Sequence, residues 1–148
     1  MIRILTVLSF LVLVGCEPMG PIPGGRLSGE VLPVPEDWSV YGAVELVQLE
    51  TRPDDPYSIN IWGIGIGKDY YIASGGGGES SWVDHMRVNP EVRLRIENNI
   101  FELKAVRVTD ETELNQVLKS YKEKYDMEAQ AEDAAKAWLY RLEPRQQG

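Results

Sequence analysis

The sequence predicts a mainly β domain with helices flanking the sheet, and three observations support this fold class. Apolar and polar residues alternate over several short stretches that are bounded by residues typical of turns. Glycines at positions 63, 65 and 67 lie inside one of these stretches, which indicates the sharp strand curvature that barrels need. Asp110 and Glu113 form a capping pair ahead of apolar residues at helical spacing.

Residues 1–15 predict an export signal. Arg3 precedes an apolar run over residues 4–14, which is shorter than the roughly 20 residues that a bilayer span needs but fits the core of a signal peptide. Leu13-Val14-Gly15-Cys16 resembles a bacterial lipobox, which implies cleavage before Cys16 and a lipid on that cysteine. An ordinary secretory signal that happens to contain Cys16 is the alternative.

The resemblance to a lipobox implies a location in the bacterial cell envelope, with the membrane as a partner through the lipid on Cys16. Because Glu17 is not an aspartate, the expected place in a cell with two membranes is the periplasmic face of the outer membrane. Residues 16–36 are rich in Pro and Gly, and we interpret their first part as a tether. Leu27, Val31, Leu32 and Val34 can dock the later part on a domain that spans residues 37–148.

Composition limits the classes of function. The formal net charge is −8, and cleavage of the signal removes only the positive charge of Arg3, so the remaining chain is more acidic still. Such a chain repels nucleic-acid phosphate, and we expect no nucleic-acid partner. The single histidine and the single cysteine exclude the usual zinc patterns, so no metal site is predicted, and no internal disulfide can form.

The first half of the domain reads as an antiparallel meander. Strands are predicted over residues 41–51, 57–67 and 70–74, joined by turns at 52–56 and 67–69. Glycines at 75–78 then break the sheet, and Ser80 or Ser81 can cap a helix that Asn89-Pro90 ends.

The second half supplies a hairpin and a long helix. Apolar residues alternate over 92–96 and 101–108 around a turn at Asn98-Asn99, and residues 110–125 form an amphipathic helix. Residues 128–136 indicate one or two loose helical turns, and 138–142 indicate a closing strand.

Few residues point to chemistry by themselves. The glycine run after Ser74 opens a helix and so suits a phosphate, although a loop without ligand explains it equally and Glu79 disfavours an anion. His85, the sole histidine, can be a proton donor or only a half-exposed helix residue. Trp62, Tyr70 and Tyr71 can line a pocket for a flat ring or belong to the core.

Three segments resemble the FMN-binding split β-barrel superfamily, which includes the pyridoxamine-phosphate-oxidase-like proteins and the deazaflavin-dependent nitroreductases. Residues 49–62 look like its first hairpin, and residues 70–76 look like the strand and turn that lead to its cofactor. Residues 82–94, WVDHMRVNPEVRL, are similar to its W-x-x-N-L-x-x-N-P-x-V signature, which is the most specific match.

The resemblance implies a split β-barrel of about six antiparallel strands with two or three helices, commonly a homodimer with FMN or a deazaflavin coenzyme at the interface. Ser74 and the glycines would meet the cofactor phosphates, which Arg52 and Arg87 would pair with, and His85 would be catalytic. The full set of cofactor-binding residues that it implies is Arg52, Asn60, Ser74, Gly75, Gly76, Trp82 and Arg87.

Two functions stay open from the sequence. One is a flavin- or deazaflavin-binding oxidoreductase-like envelope lipoprotein of unknown substrate. The other is a noncatalytic lipoprotein, without cofactor, that uses the barrel to bind a small ligand or a protein partner. The acidic turn 52–56 favours the second function, because it replaces the basic G-R-K-S-G turn of the deazaflavin group.

Overall fold

The structure is a computed structural model that describes residues 16–75, 78–126 and 138–146. Its helices are α1 (Ser81–Val88) and α2 (Glu111–Tyr125), and a 3₁₀ turn spans Trp38–Tyr41. The strands are β1 (Glu30–Val31), β2 (Leu46–Thr51), β3 (Tyr57–Ile66), β4 (Asp69–Ser74), β5 (Glu91–Ile96), β6 (Asn99–Arg107) and β7 (Trp138–Pro144).

Six antiparallel strands close into a barrel in the order β6-β5-β2-β3-β4-β7, and β7 returns to pair with β6. The short strand β1 adds to β6 in parallel outside the barrel. Closure pairs each of the six main strands with a neighbour on both sides over part of its length. The predicted class, a mainly β split barrel with flanking helices, is confirmed.

Alternation along the strands separates the interior of the barrel from its outer face. Val47 and Leu49 of β2 are fully buried in the core. Gln48 lies on the opposite face of β2, where its side chain donates to the amide oxygen of Asn60 at 2.9 Å. Positions of one parity on β2 and β3 therefore face the core, and those of the other parity face outward.

The glycines of β3 admit large aromatic side chains to the barrel interior. A Cβ at Gly65 would lie 2.3 Å from the Cβ of Trp38, and one at Gly63 would lie 2.5 Å from the ring of Tyr70. Trp38 and Tyr70 are almost fully buried and lie 5.0 Å apart between ring centroids. Close approach thus explains both glycines.

The two helices cover the barrel with the faces that the sequence predicts. Trp82, Val83 and Met86 of α1 are buried. In α2, the Asp110 carboxylate caps the helix by accepting from the Glu113 amide at 2.9 Å, as predicted. Ser80 is the N-cap residue of α1 but makes no side-chain capping bond.

The N-terminal segment lies along the outer face of the barrel from Cys16 onward. Gly24 and Ser58 exchange two backbone hydrogen bonds of 2.8 Å, and Leu27 is buried. The Leu27 amide donates to the Glu50 carboxylate, which also accepts from Arg93. Residues 16–25, interpreted above as a tether, are therefore folded against the sheet in this structure.

Local differences from the prediction have local causes. Strand β2 begins at Leu46 rather than Tyr41, because the 3₁₀ turn occupies residues 38–41. The turn before β6 begins one residue early, with Glu97 at a φ of 58°. The predicted helical turns at 128–136 lie outside the described residues.

Candidate functional site

A groove lies between the turn that joins β2 to β3 and the outer side of α1. Its volume is about 360 Å³, which is within the usual range for small-molecule sites. The residues that line this groove are Arg52, Pro53, Asp54, Asp55, Asp84, His85, Val88 and Asn89. Two of the predicted site residues, Arg52 and His85, are therefore neighbours here.

His85 is held by the β2–β3 hairpin. Its Nδ1 lies 2.9 Å from the hydroxyl of Thr51, and that hydroxyl donates to the Tyr57 carbonyl at 3.3 Å. The hydroxyl has one hydrogen, so it can make both contacts only by donating to the carbonyl and accepting from Nδ1. We therefore assign the imidazole proton to Nδ1, which leaves Nε2 as an acceptor. The Tyr57 ring packs edge-on against the imidazole with centroids 4.9 Å apart. Two contacts thus fix the orientation of this side chain.

The surroundings of His85 favour the neutral imidazole. Partial burial lowers its pKa below the usual value, and the nearby Arg52 guanidinium lowers the pKa further. Asp84 and Asp55 oppose the shift without reversing it. At neutral pH the ring is therefore an uncharged hydrogen-bonding group rather than a cation.

The rim of the groove is acidic. Arg52 has a φ of 54°, and its guanidinium donates to the Asp55 carbonyl at 3.0 Å and pairs with the Asp55 carboxylate at 3.3 Å. Asp54 and Asp84 add two further carboxylates. The one arginine of the groove is thus already paired, and the rim carries an excess of negative charge.

A second cluster, which includes the predicted residue Arg87, surrounds Trp138 at the start of β7. The guanidinium carbons of Arg107 and Arg87 lie 3.3 and 4.7 Å from the centroid of the Trp138 ring. Gly78, at a φ of +85°, approaches the same ring so closely that a Cβ would lie 2.7 Å away. We call Trp138, Arg107, Arg87 and Gly78 the Trp138 cluster.

Arg87 connects this cluster to the groove. Its guanidinium pairs with Asp84 of the groove rim and donates to the Gly78 carbonyl at 3.2 Å. Like Arg52, it is thus engaged by a carboxylate three positions away in the sequence. An incoming phosphate would compete with these carboxylates for both arginines.

Two of the remaining predicted residues near α1, Ser74 and Trp82, have partners within the protein. Ser74 is buried and its hydroxyl lies 3.2 Å from that of Ser80, whereas Gly75 is exposed with open space around it. Trp82 is buried and packs edge-on against Tyr140, so its ring belongs to the core. Gly76 lies outside the described residues.

Asn60 lies away from all of these residues. It stands on the outward face of β3, where its amide donates to the carbonyls of Pro18 and Gly20 at 3.3 and 3.2 Å. Thr51 and Tyr57, which contact His85, lie at the other end of the hairpin. Asn60 thus fastens the N-terminal segment rather than joining the groove.

The groove suits the ring of a flavin better than its phosphate. Pro53 and the 88%-exposed Val88 offer apolar surface, and His85 offers one oriented acceptor for a ring N–H. The two arginines that the resemblance implies for phosphate binding are divided between the groove and the Trp138 cluster, and each is paired with a carboxylate. The residues present therefore fit the ring and do not form a phosphate cradle.

Sequence reasoning missed Thr51, Tyr57 and Trp138 as parts of the site. Thr51 and Tyr57 are directly paired across the β2–β3 hairpin, so the predicted turn at 52–56 could have placed them together. Trp138 was predicted only as the start of a closing strand. Its approach to Gly78 and Arg87 depends on the pairing of β7 with β4, which no local pattern reveals.

Among the described residues, the protein has neither a cluster of potential metal ligands nor a helix that could span a membrane. No cluster of three or more potential metal ligands occurs among residues 16–75, 78–126 and 138–146. In the same part of the chain, no helix has the length and apolar character needed to cross a membrane.

Comparisons with known proteins place the chain in a family. Residues 40–139 match the family model described as uncharacterized protein conserved in bacteria, DUF2255, and no curated protein matches. The fold resembles a candidate pyridoxamine 5′-phosphate oxidase from Listeria innocua, with a TM-score of 0.59 and 18% identity over 73% of this chain and 90% of that one.

Two further solved structures show the same fold. A FAD-binding protein from Mesorhizobium loti has a TM-score of 0.52 at 16% identity, covering 78% of this chain and 91% of its own. A protein named F420 reductase has a TM-score of 0.53 at 16% identity, covering 78% and 97%. Since the family model spans more than half of its length, this split-barrel chain belongs to the bacterial family DUF2255.

Proposed function

We propose that this protein is a lipid-anchored envelope protein whose barrel binds a flavin or deazaflavin ring in the groove beside His85. The observation that carries the proposal is the fixed, neutral imidazole, whose Nε2 can accept from a ring N–H. The bound ring would supply hydride chemistry, and the protein would hold and orient it. Fold likeness to a FAD-binding protein and an F420 reductase supports this cofactor class.

The location is part of the same proposal. The export signal of residues 1–15 and the lipobox ending at Cys16 support attachment to the envelope through a lipid, at the periplasmic face of the outer membrane in a cell with two membranes. More than one acyl chain is needed for stable anchoring. A homodimer, which the resemblance implies, stays a prediction.

A titration tests ring binding. The chain from residue 16 onward, with Cys16→Ser, is mixed with riboflavin, FMN, FAD and a deazaflavin coenzyme while ring absorbance and tryptophan fluorescence are recorded. Micromolar binding of at least one ring, weakened in His85→Ala and unchanged in Val40→Ala, is expected. Val40 is 72% exposed and lies outside the groove, which makes it a matched control. Binding of none of the four would refute the proposal.

The paired arginines favour a second candidate, a noncatalytic binding protein. With Arg52 and Arg87 neutralised by Asp55 and Asp84, the groove and its surroundings suit an uncharged or cationic ligand or a protein partner. Crosslinking in intact envelopes followed by purification separates the two candidates. Recovery of a specific partner together with absence of any bound chromophore would favour the noncatalytic protein.

A further inference from the structure

We infer that the outward face of the β2–β3 hairpin, together with residues 18–22, rests on the bilayer that holds the acyl chains of Cys16. This inference rests on the lipid anchor of the proposed function and adds an orientation to it. The anchor would then hold the barrel directly against the membrane, with one defined face toward the lipid.

Four exposed apolar side chains form this face. Leu46 and Trp62 are direct cross-strand partners on β2 and β3 and are 50% and 49% exposed. Met19 and Ile22 close a tight turn through paired backbone hydrogen bonds and are 69% and 61% exposed. We call these four residues the apolar face.

The turn is fixed beside the hairpin, which joins the two pairs into one surface. Asn60, two residues before Trp62 and on the same side of β3, donates to the carbonyls of Pro18 and Gly20 on either side of Met19. The antiparallel bridge between Gly24 and Ser58 continues this contact along β3. Met19 and Ile22 are therefore held beside β3, the strand that carries Trp62.

Hydrogen bonds and an ion pair hold Cys16 and Glu17 close to this surface. Its carbonyl accepts from the Gly25 amide at 2.7 Å, and Glu17 pairs with Arg95 at 2.6 Å. A lipid on the exposed Cys16 would begin three residues before Met19, within a segment already bound to the barrel. Insertion of the acyl chains therefore brings the apolar face to the lipid surface.

The charge pattern fits a bilayer as the occupant. Residues 18–25 contain no charged side chain, and the nearest acid in the sequence, Glu17, is already paired. Trp62 stacks on Tyr125 with centroids 4.7 Å apart, and tryptophan and tyrosine favour the interface between membrane and water. At the edge, the Lys124 ammonium donates to the carbonyls of Val44 and Gly63, and the exposed Glu45, which precedes Leu46, lies near that ammonium.

Other exposed apolar side chains do not extend this surface. Val31, Val40 and Val88 are 52%, 72% and 88% exposed, but Val31 belongs to β1, which pairs with β6, Val40 to the 3₁₀ turn and Val88 to the groove. A second copy of the chain could cover the apolar face instead. The position of Cys16 favours the lipid, because the anchor supplies the bilayer at that place.

The experiment uses the full chain, expressed in a bacterium that attaches lipids, and reconstituted in phosphatidylcholine vesicles with brominated acyl chains. Mass spectrometry of the Cys16 peptide comes first. Absence of acyl groups would refute the anchor and this inference together. With acyl groups present, the fluorescence that is lost in Trp62→Phe is expected to be quenched by the brominated lipid.

Variants of the acylated protein test whether the apolar face itself contacts the bilayer. Ile22→Asp is expected to lower partition of the apolar face into the bilayer about tenfold, so that most of the Trp62 quenching disappears. Val40→Asp, a control at a residue that is at least as exposed as Ile22, should leave quenching unchanged. Acylated protein that shows no Trp62 quenching at any ratio of protein to lipid would refute the inference and leave the anchor intact.

Discussion

The hydroxyl of Thr51 determines how His85 presents its ring to the groove. The hydroxyl oxygen contacts Nδ1 while the hydroxyl donates a hydrogen bond to the Tyr57 carbonyl, so the opposite nitrogen, Nε2, stays available as an acceptor. Burial and Arg52 keep the imidazole neutral by lowering its pKa. A neutral, oriented histidine can bind a ring N–H, whereas a freely rotating cation could not do so specifically.

The lowered pKa of His85 makes stability depend on pH in a predictable direction. The folded protein binds a proton at this site less readily than the unfolded chain does, whose histidine pKa is about 6.5. The contribution of the neutral His85 to the free energy of unfolding is present above pH 6.5 and is lost as the pH falls through the folded-state pKa. Urea unfolding of the wild type and His85→Asn between pH 7.5 and pH 5 should show a steeper loss for the wild type. An equal loss of stability with falling pH in the two proteins would contradict the lowered pKa of His85.

The close contact between Gly65 and Trp38 leads to a second prediction, which concerns stability. An alanine there would bring its Cβ 2.3 Å from the Cβ of Trp38, an atom too close to the backbone to move away. Gly65→Ala should therefore lower the free energy of unfolding by about 2 kcal/mol. The control is Gly25→Ala, whose Cβ would have its nearest neighbour at 3.9 Å. Chemical denaturation measures both, and equal effects would count against the packing argument.

At the scale of elements, the hairpins could be predicted because their evidence is local. Alternation with turn residues identified the main strands, and Asp110 identified the start of α2. The groove could be predicted only in part, because His85 and Arg52 come together through packing of α1 on the β2–β3 turn. The docking of residues 16–25 also escaped prediction, because prolines and glycines resemble a linker when their tertiary hydrogen bonds are unknown, whereas the expected docking through Leu27, Leu32 and Val34 is observed.

Glu50 tests how strongly the N-terminal segment is docked. Its carboxylate is buried, accepts from the Leu27 amide at 2.7 Å and pairs with Arg93 at 3.1 Å. Glu50→Ala should destabilise the protein by about 3 kcal/mol, because it leaves the guanidinium of Arg93 buried without its partner. Glu102→Ala is the control, since Glu102 also lies opposite Arg93 but is exposed. Equal melting temperatures for the two variants would refute the stabilising role of the buried Glu50–Arg93 pair.

At the scale of the whole molecule, negative charge distinguishes ring binding from phosphate binding. The chain carries a formal charge of −8, and three carboxylates line the groove. An FMN phosphate would therefore meet repulsion at the rim, whereas an uncharged ring would not.

Neutralising the rim should change ligand preference. Asp84→Asn removes one carboxylate and releases Arg87 from its ion pair. We expect it to raise FMN affinity about fivefold, with riboflavin affinity unchanged, and to lose much of this gain at high salt. Fluorescence titrations at low and high salt measure the change. A parallel increase for both ligands would show that charge is not the cause.

The most direct test of the central claim is a riboflavin titration of the wild type, Thr51→Val and His85→Ala, followed by ring absorbance. Riboflavin presents the ring without a phosphate, so its affinity reports on the groove alone. We expect micromolar binding by the wild type and a loss of about tenfold in each variant, because Thr51→Val removes the hydroxyl that orients the acceptor and His85→Ala removes the acceptor itself. Wild-type binding that both variants retain in full would contradict the assignment of His85, and absence of wild-type binding would contradict ring binding in this groove.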